Sequence, residues 1–110
     1  MSLYLKIEKA TEKKDTDAYL KLLHDDYTFV SHQSGQTMSK GAMGDMLRKM
    51  MASASMTVHD SRCIYENDDI LVEHSVMDFP DGTREAVMGV HTLKGGKILR
   101  TETGATLIKK

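Results

Sequence analysis

The chain reads as an α+β domain in which helices cover one face of a long antiparallel meander. Three observations carry that reading. Most of the first half repeats its apolar residues at helical spacing, whereas from Met56 onward they alternate at period two. Three two-residue turn signals, Asn67-Asp68, Asp81-Gly82 and Gly95-Gly96, divide this second half into four strands. No further helical segment follows, so the helices must come from the N-terminal half.

The elements follow in order. A first helix is expected over about residues 3–13, with Leu3, Ile7 and Ala10 on one stripe and Lys6, Glu8, Lys9, Glu12 and Lys13 off it. Asp15-Thr16-Asp17 interrupts it, and Thr16 is the expected N-cap of a second helix ending near His24, with Tyr19, Leu20, Leu22 and Leu23 as its apolar side. Asp25-Asp26 breaks that pattern. Residues 27–32 have strand composition and lead through the Gly35 turn into a short extended Gln36-Thr37-Met38. Ser39 caps a third helix over about residues 40–52, in which Met43, Met46, Leu47 and Met50 share a face.

Bulk properties bound the function. At 110 residues the chain fits one domain, 1–110. Fifteen basic and sixteen acidic residues are interspersed, without the basic stripe of a nucleic-acid binder. The single cysteine, Cys63, rules out an internal disulfide, and no apolar run nears the ~18 residues of a membrane span. With no charged-then-apolar leader either, the expectation is a soluble cytoplasmic domain. Nine methionines, six of them between Met38 and Met56, suggest core filler or a deformable pocket wall.

Two-residue turns fix the strand register. They set Met77 opposite Ala86, Ser75 opposite Met88 and Glu73 opposite Val90; then Val90 opposite Thr101 and Met88 opposite Thr103; and Arg62 opposite Glu73 with Asp60 opposite Ser75. One face then carries Asp60, Arg62, Glu73, Ser75, Met77, Phe79, Met88, Thr101 and Thr103 and belongs under the helices. The other carries His59, Cys63, His74, Gly89 and His91, and its half-apolar character suggests a partner subunit.

The order of two helices, a short strand, a third helix and a four-strand meander resembles the nuclear-transport-factor-2-like superfamily in its SnoaL-like branch. The stretch LLHDDYTFVSHQSGQTMSKGAMGDML resembles the segment joining the second and third helices of small bacterial members, and KGGKILRTETGATLI resembles their last hairpin and strand. The resemblance implies a cone-shaped fold, with the curved sheet wrapped around a pocket that the helices close, and a homodimer through the outer sheet face. Ketosteroid isomerases, polyketide cyclases, dehydratases, epoxide hydrolases and binding proteins share that fold. Against the isomerases, Ser31 falls where that family has its general-base Asp, Met88 where it keeps a protonated Asp, and Ile7 near its tyrosine. All three positions depart, which argues against isomerase chemistry of that kind.

The expected pocket therefore has walls of Met46, Met50, Met77, Met88 and Phe79, with Asp60, Arg62, Glu73, Ser75, Thr101, Thr103 and Ser31 as its polar groups. Burial raises a carboxylate's pKa while a guanidinium lowers it, so Asp60 beside Arg62 is a candidate base, and His32 at the pocket mouth is another. An exposed cross-strand ion pair explains the same residues without chemistry. Neither the histidines nor Cys63 has metal-site spacing, and no cofactor is implied. Two functions stay open: a cofactor-independent isomerase, dehydratase or hydrolase acting on a small apolar substrate, or a non-catalytic ligand-binding or dimerisation module. A third reading, an interaction domain with a filled cone, is favoured if the Met side chains leave no cavity.

Overall fold

The computed structural model describes residues 2–53 and 56–109. It has three helices, α1 (Leu3–Glu12), α2 (Thr16–Lys21) and α3 (Lys40–Ala52). Its six strands are β1 (Leu23–Ser31), β2 (Gln36–Ser39), β3 (Thr57–Glu66), β4 (Ile70–Asp78), β5 (Arg84–Lys94) and β6 (Lys97–Ile108). They form one curved, unclosed sheet in the order β2-β1-β6-β5-β4-β3. The sheet is antiparallel except where β1 runs parallel to β6, a pairing that β1 can make because α3 and the meander separate the two strands in sequence.

The helices start where side-chain oxygens can cap them. Ser2 accepts from the Leu5 N–H, Asp15 from Ala18 and Ser39 from Ala42. Asp15, not Thr16, is thus the cap of α2. That helix ends at Lys21, and the chain enters β1 at once, with Leu23 fully buried. The Asp25-Asp26 pair lies inside β1 as an irregularity: pairing to β6 shifts between Leu23 and Thr28. The core joins Leu3, Tyr4 and Ile7 of α1, Met43, Leu47 and Met51 of α3, and Leu23, Tyr27, Leu71 and Ile98 of the sheet.

The largest difference from the sequence reading lies in the meander. The β4–β5 connection is a three-residue loop, Pro80-Asp81-Gly82, closed by the Phe79 N–H donating to the Thr83 carbonyl at 2.9 Å. Gly82 sits at φ +88°, where a side chain would be strained. One extra loop residue slides β5 by one, and a one-residue slip turns every side chain over. Glu73 therefore faces Gly89, and Ser75 faces Val87. A bulge at Leu99, opposite the step from Thr92 to Leu93, then shifts β6 by one, so His91 pairs with Thr101 and Gly89 with Thr103. The two offsets cancel for β6 and invert β5.

A second pair of bulges bends β3. Asp60 adopts φ +47°, a left-handed conformation that a short polar side chain tolerates, and the register shifts between His59 and Arg62 and again between Cys63 and Tyr65. Val58 still faces Met77 as expected, but Arg62 faces His74 and Cys63 faces Glu73. Met88 and Arg62 thus leave the inner face, for a reason of register and not of chemistry.

Candidate functional site

A cavity of about 1060 Å³ opens between the concave sheet face and the helices. Its apolar wall is α3's Met46, Leu47 and Met50, with Phe29 and Met77 from the sheet and Phe79 just past the end of β4. Of the expected polar groups, Ser31, Asp60, Glu73, Ser75, Thr101 and Thr103 line it. Met88 is exposed on the opposite face, and Arg62 is exposed opposite His74. His32 lies outside the cavity. Its Nε2 is 3.1 Å from Glu102 Oε1, in a surface pair that Arg100 joins at 3.6 Å. The His32 bond, then Arg100, holds the Glu102 carboxyl below its usual range.

The inversion of β5 brings in residues that the sequence reading had sent outward. Glu85, Val87, Gly89 and His91 all face the cavity. His91 is the consequential one. Its ring is 2 % exposed, Nδ1 is 2.7 Å from Thr101 Oγ1, and Nε2 is 3.4 Å from Glu73 Oε1 without hydrogen-bond geometry. The Thr101 hydroxyl can donate to Nδ1, which places the ring hydrogen on Nε2, facing the Glu73 carboxylate. The two groups do not close a hydrogen bond across this distance. Gly89 lies beside this gap, and a Cβ there would be 3.5 Å from His91 Nε2 and 3.7 Å from Glu73 Oε1, so the glycine leaves that space open.

Three tyrosines surround the pair. Tyr4 bonds Ser61 through its hydroxyl at 2.9 Å, and both residues line the cavity. Tyr19 also lines it; burial, then Tyr27 and Glu73, pushes its phenol well above the ordinary value, so it stays protonated. Tyr27 lies deeper, 2 % exposed, with a hydroxyl that has no hydrogen-bond partner among the described residues. Burial pushes Tyr27 up to about 12; Thr101, its hydroxyl engaged by His91, opposes the rise without closing a bond of good geometry, and Glu73 adds to it.

This has a pH consequence. Between pH 10 and about 12 the unfolded chain releases the Tyr27 proton while the folded chain keeps it. Its contribution, on the order of 3 kcal/mol, is thus fully present below pH 10 and lost as pH rises through that window. Urea unfolding should show a steep fall in stability above pH 10, and Tyr27→Phe should make it shallower.

Cys63, on the Glu73 side of β3 by register, is exposed. Burial of its thiol, then Glu66 and Glu73, raises its pKa and so lowers its reactivity. Among the described residues no group of three or more His, Cys, Asp or Glu could hold a metal.

The SnoaL-like domain family matches residues 6–101, nearly the whole chain. The chain belongs to that family. No curated protein matches it. Solved structures agree on the fold of this SnoaL-like domain. An NTF2-like protein of unknown function from Cytophaga hutchinsonii superimposes with a TM-score of 0.74 at 18 % identity, over 94 % of this chain and 87 % of that one. An NTF-2 like protein of unknown function from Burkholderia xenovorans gives 0.77 at 15 % identity, over 97 % and 82 %. A hypothetical protein with a ketosteroid isomerase-like fold from Catenulispora acidiphila, solved in complex with trimethylamine, gives 0.73 at 16 % identity, over 94 % and 86 %. At these identities the likeness is one of fold.

The resemblance read from the sequence thus holds for family and architecture. What it missed was His91 with Gly89, and a signal for them was present. In Phe79-Pro80-Asp81-Gly82-Thr83, proline favours the second position of a type I turn, with glycine following in the left-handed region, which is the pattern of a three-residue hairpin loop.

Proposed function

We propose that the cavity is the active site of a cofactor-independent enzyme of the isomerase, dehydratase or hydrolase type, with Glu73 as general base. The observation that carries this is the Glu73–His91 pair in a largely apolar cavity. Glu73 is the more accessible partner, its side chain 22 % exposed against 2 % for His91, so the carboxylate meets substrate first. A proton taken from a carbon beside a carbonyl passes to Glu73, whose neighbour His91 stands 3.4 Å away with no other partner at Nε2 among the described residues. The protonated Tyr19 phenol, which lines the same cavity, is a candidate donor for the enolate oxygen. Asp60 lines the same cavity and is the second candidate base.

6-Bromo-2-tetralone tests this, because its C1 hydrogens are acidified by both carbonyl and ring. In D₂O the protein should speed deuterium entry at C1, read by proton NMR, above the buffer rate. No acceleration at millimolar ketone would remove the catalytic reading in favour of a binding module.

We also propose that two copies pair through the outer sheet face. Tyr65, Val72 and Val90 share one cross-strand row there, next to the exposed Met88. A sizing column should give the mass of two chains for the wild type and of one for Met88→Asp. A wild-type monomer would defeat the proposal. Of the three histidines expected on this face, His91 is inside the cavity, and His59 and His74 remain as groups that could make pairing pH-sensitive.

A further inference from the structure

We propose that Thr101 is a positioning residue of the active site: its hydroxyl donates to His91 Nδ1 and so turns the hydrogen at His91 Nε2 toward the Glu73 carboxylate. This rests on the reading of Glu73 as general base and adds to it the residue that sets the ring beside that base. The three side chains stand on neighbouring strands. His91 and Thr101 are register partners on β5 and β6, and Glu73 on β4 is diagonal to His91 across Gly89. Gly89 puts no side chain between them, since a Cβ there would meet Glu73 Cγ and His91 Nε2, each at 3.5 Å. Thr101 is 3 % exposed and His91 2 %, so little water competes for the 2.7 Å contact between Oγ1 and Nδ1.

That contact allows two arrangements, because a hydroxyl and an imidazole nitrogen can each give or accept a hydrogen. If Nδ1–H donated, the Nε2 lone pair would be left 3.4 Å from Glu73 Oε1, acceptor against carboxylate in a site of low dielectric. With the Thr101 hydroxyl donating, Nε2–H faces that oxygen, and the interaction is attractive even without hydrogen-bond geometry. Tyr27 selects the same arrangement. Its buried hydroxyl has no hydrogen-bond partner among the described residues; burial raises its pKa, and Thr101 is the hydroxyl that opposes the rise. Once the Thr101 hydrogen is turned to His91, the Thr101 oxygen presents its lone pairs to the Tyr27 O–H. Donors then point one way, from Tyr27 to Thr101 to His91, and the row ends at the carboxylate. Reversed, the Tyr27 hydrogen would have no acceptor and Glu73 would face a lone pair. The consequence for the reaction is orientation, since an N–H held toward Glu73 restrains the carboxylate where it takes the proton.

The test reads ring and rate separately. Nitrogen-15 spectra of the full chain at pH 8, above the ordinary histidine pKa of about 6.5, report which nitrogen of His91 carries hydrogen, each ring being assigned through its own backbone signals. The wild type should show hydrogen on Nε2 and a bare Nδ1 shifted by an accepted hydrogen bond. Thr101→Val keeps the shape and loses the hydroxyl. Its Nδ1 signal should move to that of a free ring nitrogen, and kcat for deuterium entry into 6-bromo-2-tetralone should fall about 10- to 100-fold with KM little changed. Thr101→Ser loses the methyl and keeps the hydroxyl, so it should restore the Nδ1 shift and bring kcat to within about threefold of wild type. Packing alone would rank the two variants the other way. Hydrogen on Nδ1, or on both nitrogens, in the wild type would overturn the proposal. So would a Thr101→Val enzyme at full rate, or a Thr101→Ser enzyme as slow as it should be for valine. Should Thr101→Val fail to fold, the wild-type spectrum and Thr101→Ser decide the matter. Absence of deuterium entry in the wild type would be a failure of the general-base reading and not of the ring assignment, which the spectra settle without ketone.

Discussion

Glu73→Gln should slow deuterium entry into 6-bromo-2-tetralone by about 10²- to 10⁴-fold, the range a positioned general base supplies. The substitution keeps the side chain's size and leaves its neighbours in place, so far-ultraviolet circular dichroism and the melting temperature should change little. The amide would stand 3.4 Å from His91 Nε2, where the carboxylate now is. It can turn either its oxygen or its nitrogen toward the ring, which is one reason to expect the fold to tolerate the change. Asp60→Asn provides the contrast, because Asp60 also lines the cavity but is exposed on the β3 bulge. It should cost less than tenfold if Glu73 is the base. Reversal of that order would move the base to Asp60, the residue the sequence had nominated.

Leu23→Ala should destabilise the fold by about 2–5 kcal/mol. Leu23 is 0 % exposed and is the register partner of Ile98, also 0 % exposed, on β6. The site joins the only parallel strand pair in the described sheet to the helical core, and the Ile98 N–H donates to the Leu22 carbonyl at 2.9 Å beside it. Truncation would leave a cavity between the sheet and the helices, where close-packed neighbours collapse poorly. For a domain near 100 residues such a loss lowers the melting temperature by roughly 10–30 °C. Leu107→Ala, at a side chain 59 % exposed, should cost about 0.5 kcal/mol or less by the same urea titration. Similar losses for the two would mean that the core is not centred on β1 and β6.

The fold was largely legible because it depends on periodicity and on punctuation. The stripe of Leu3, Ile7 and Ala10, the Ser39 cap and the alternation after Met56 each arise from local chemistry, and each element formed where those signals lay. The parallel β1–β6 contact had no local signal, since it joins residues some 70 positions apart. Site placement depended instead on strand parity, which a single residue can reverse. Reading Asp81-Gly82 as the whole turn, without Pro80, sent His91 and Gly89 outward and drew Met88 inward. The β6 residues Thr101 and Thr103 line the cavity as expected only because the bulge between Thr92 and Leu93 cancelled that offset. Asp60 kept its place on the cavity wall, whereas Arg62 lost it, because the bulge falls between them. Bulges leave little mark on composition, so sequence periodicity alone does not find them.

The most direct check of the proposed acid–base cavity is a crystal grown with 6-bromo-2-tetralone and measured at the bromine absorption edge. The anomalous peak should lie inside the cone against Met46 and Met50, with the ketone end turned toward Glu73 and His91. Bromine on the outer face beside Met88 and Tyr65, or methionine side chains filling an interior with no room for the ketone, would contradict it.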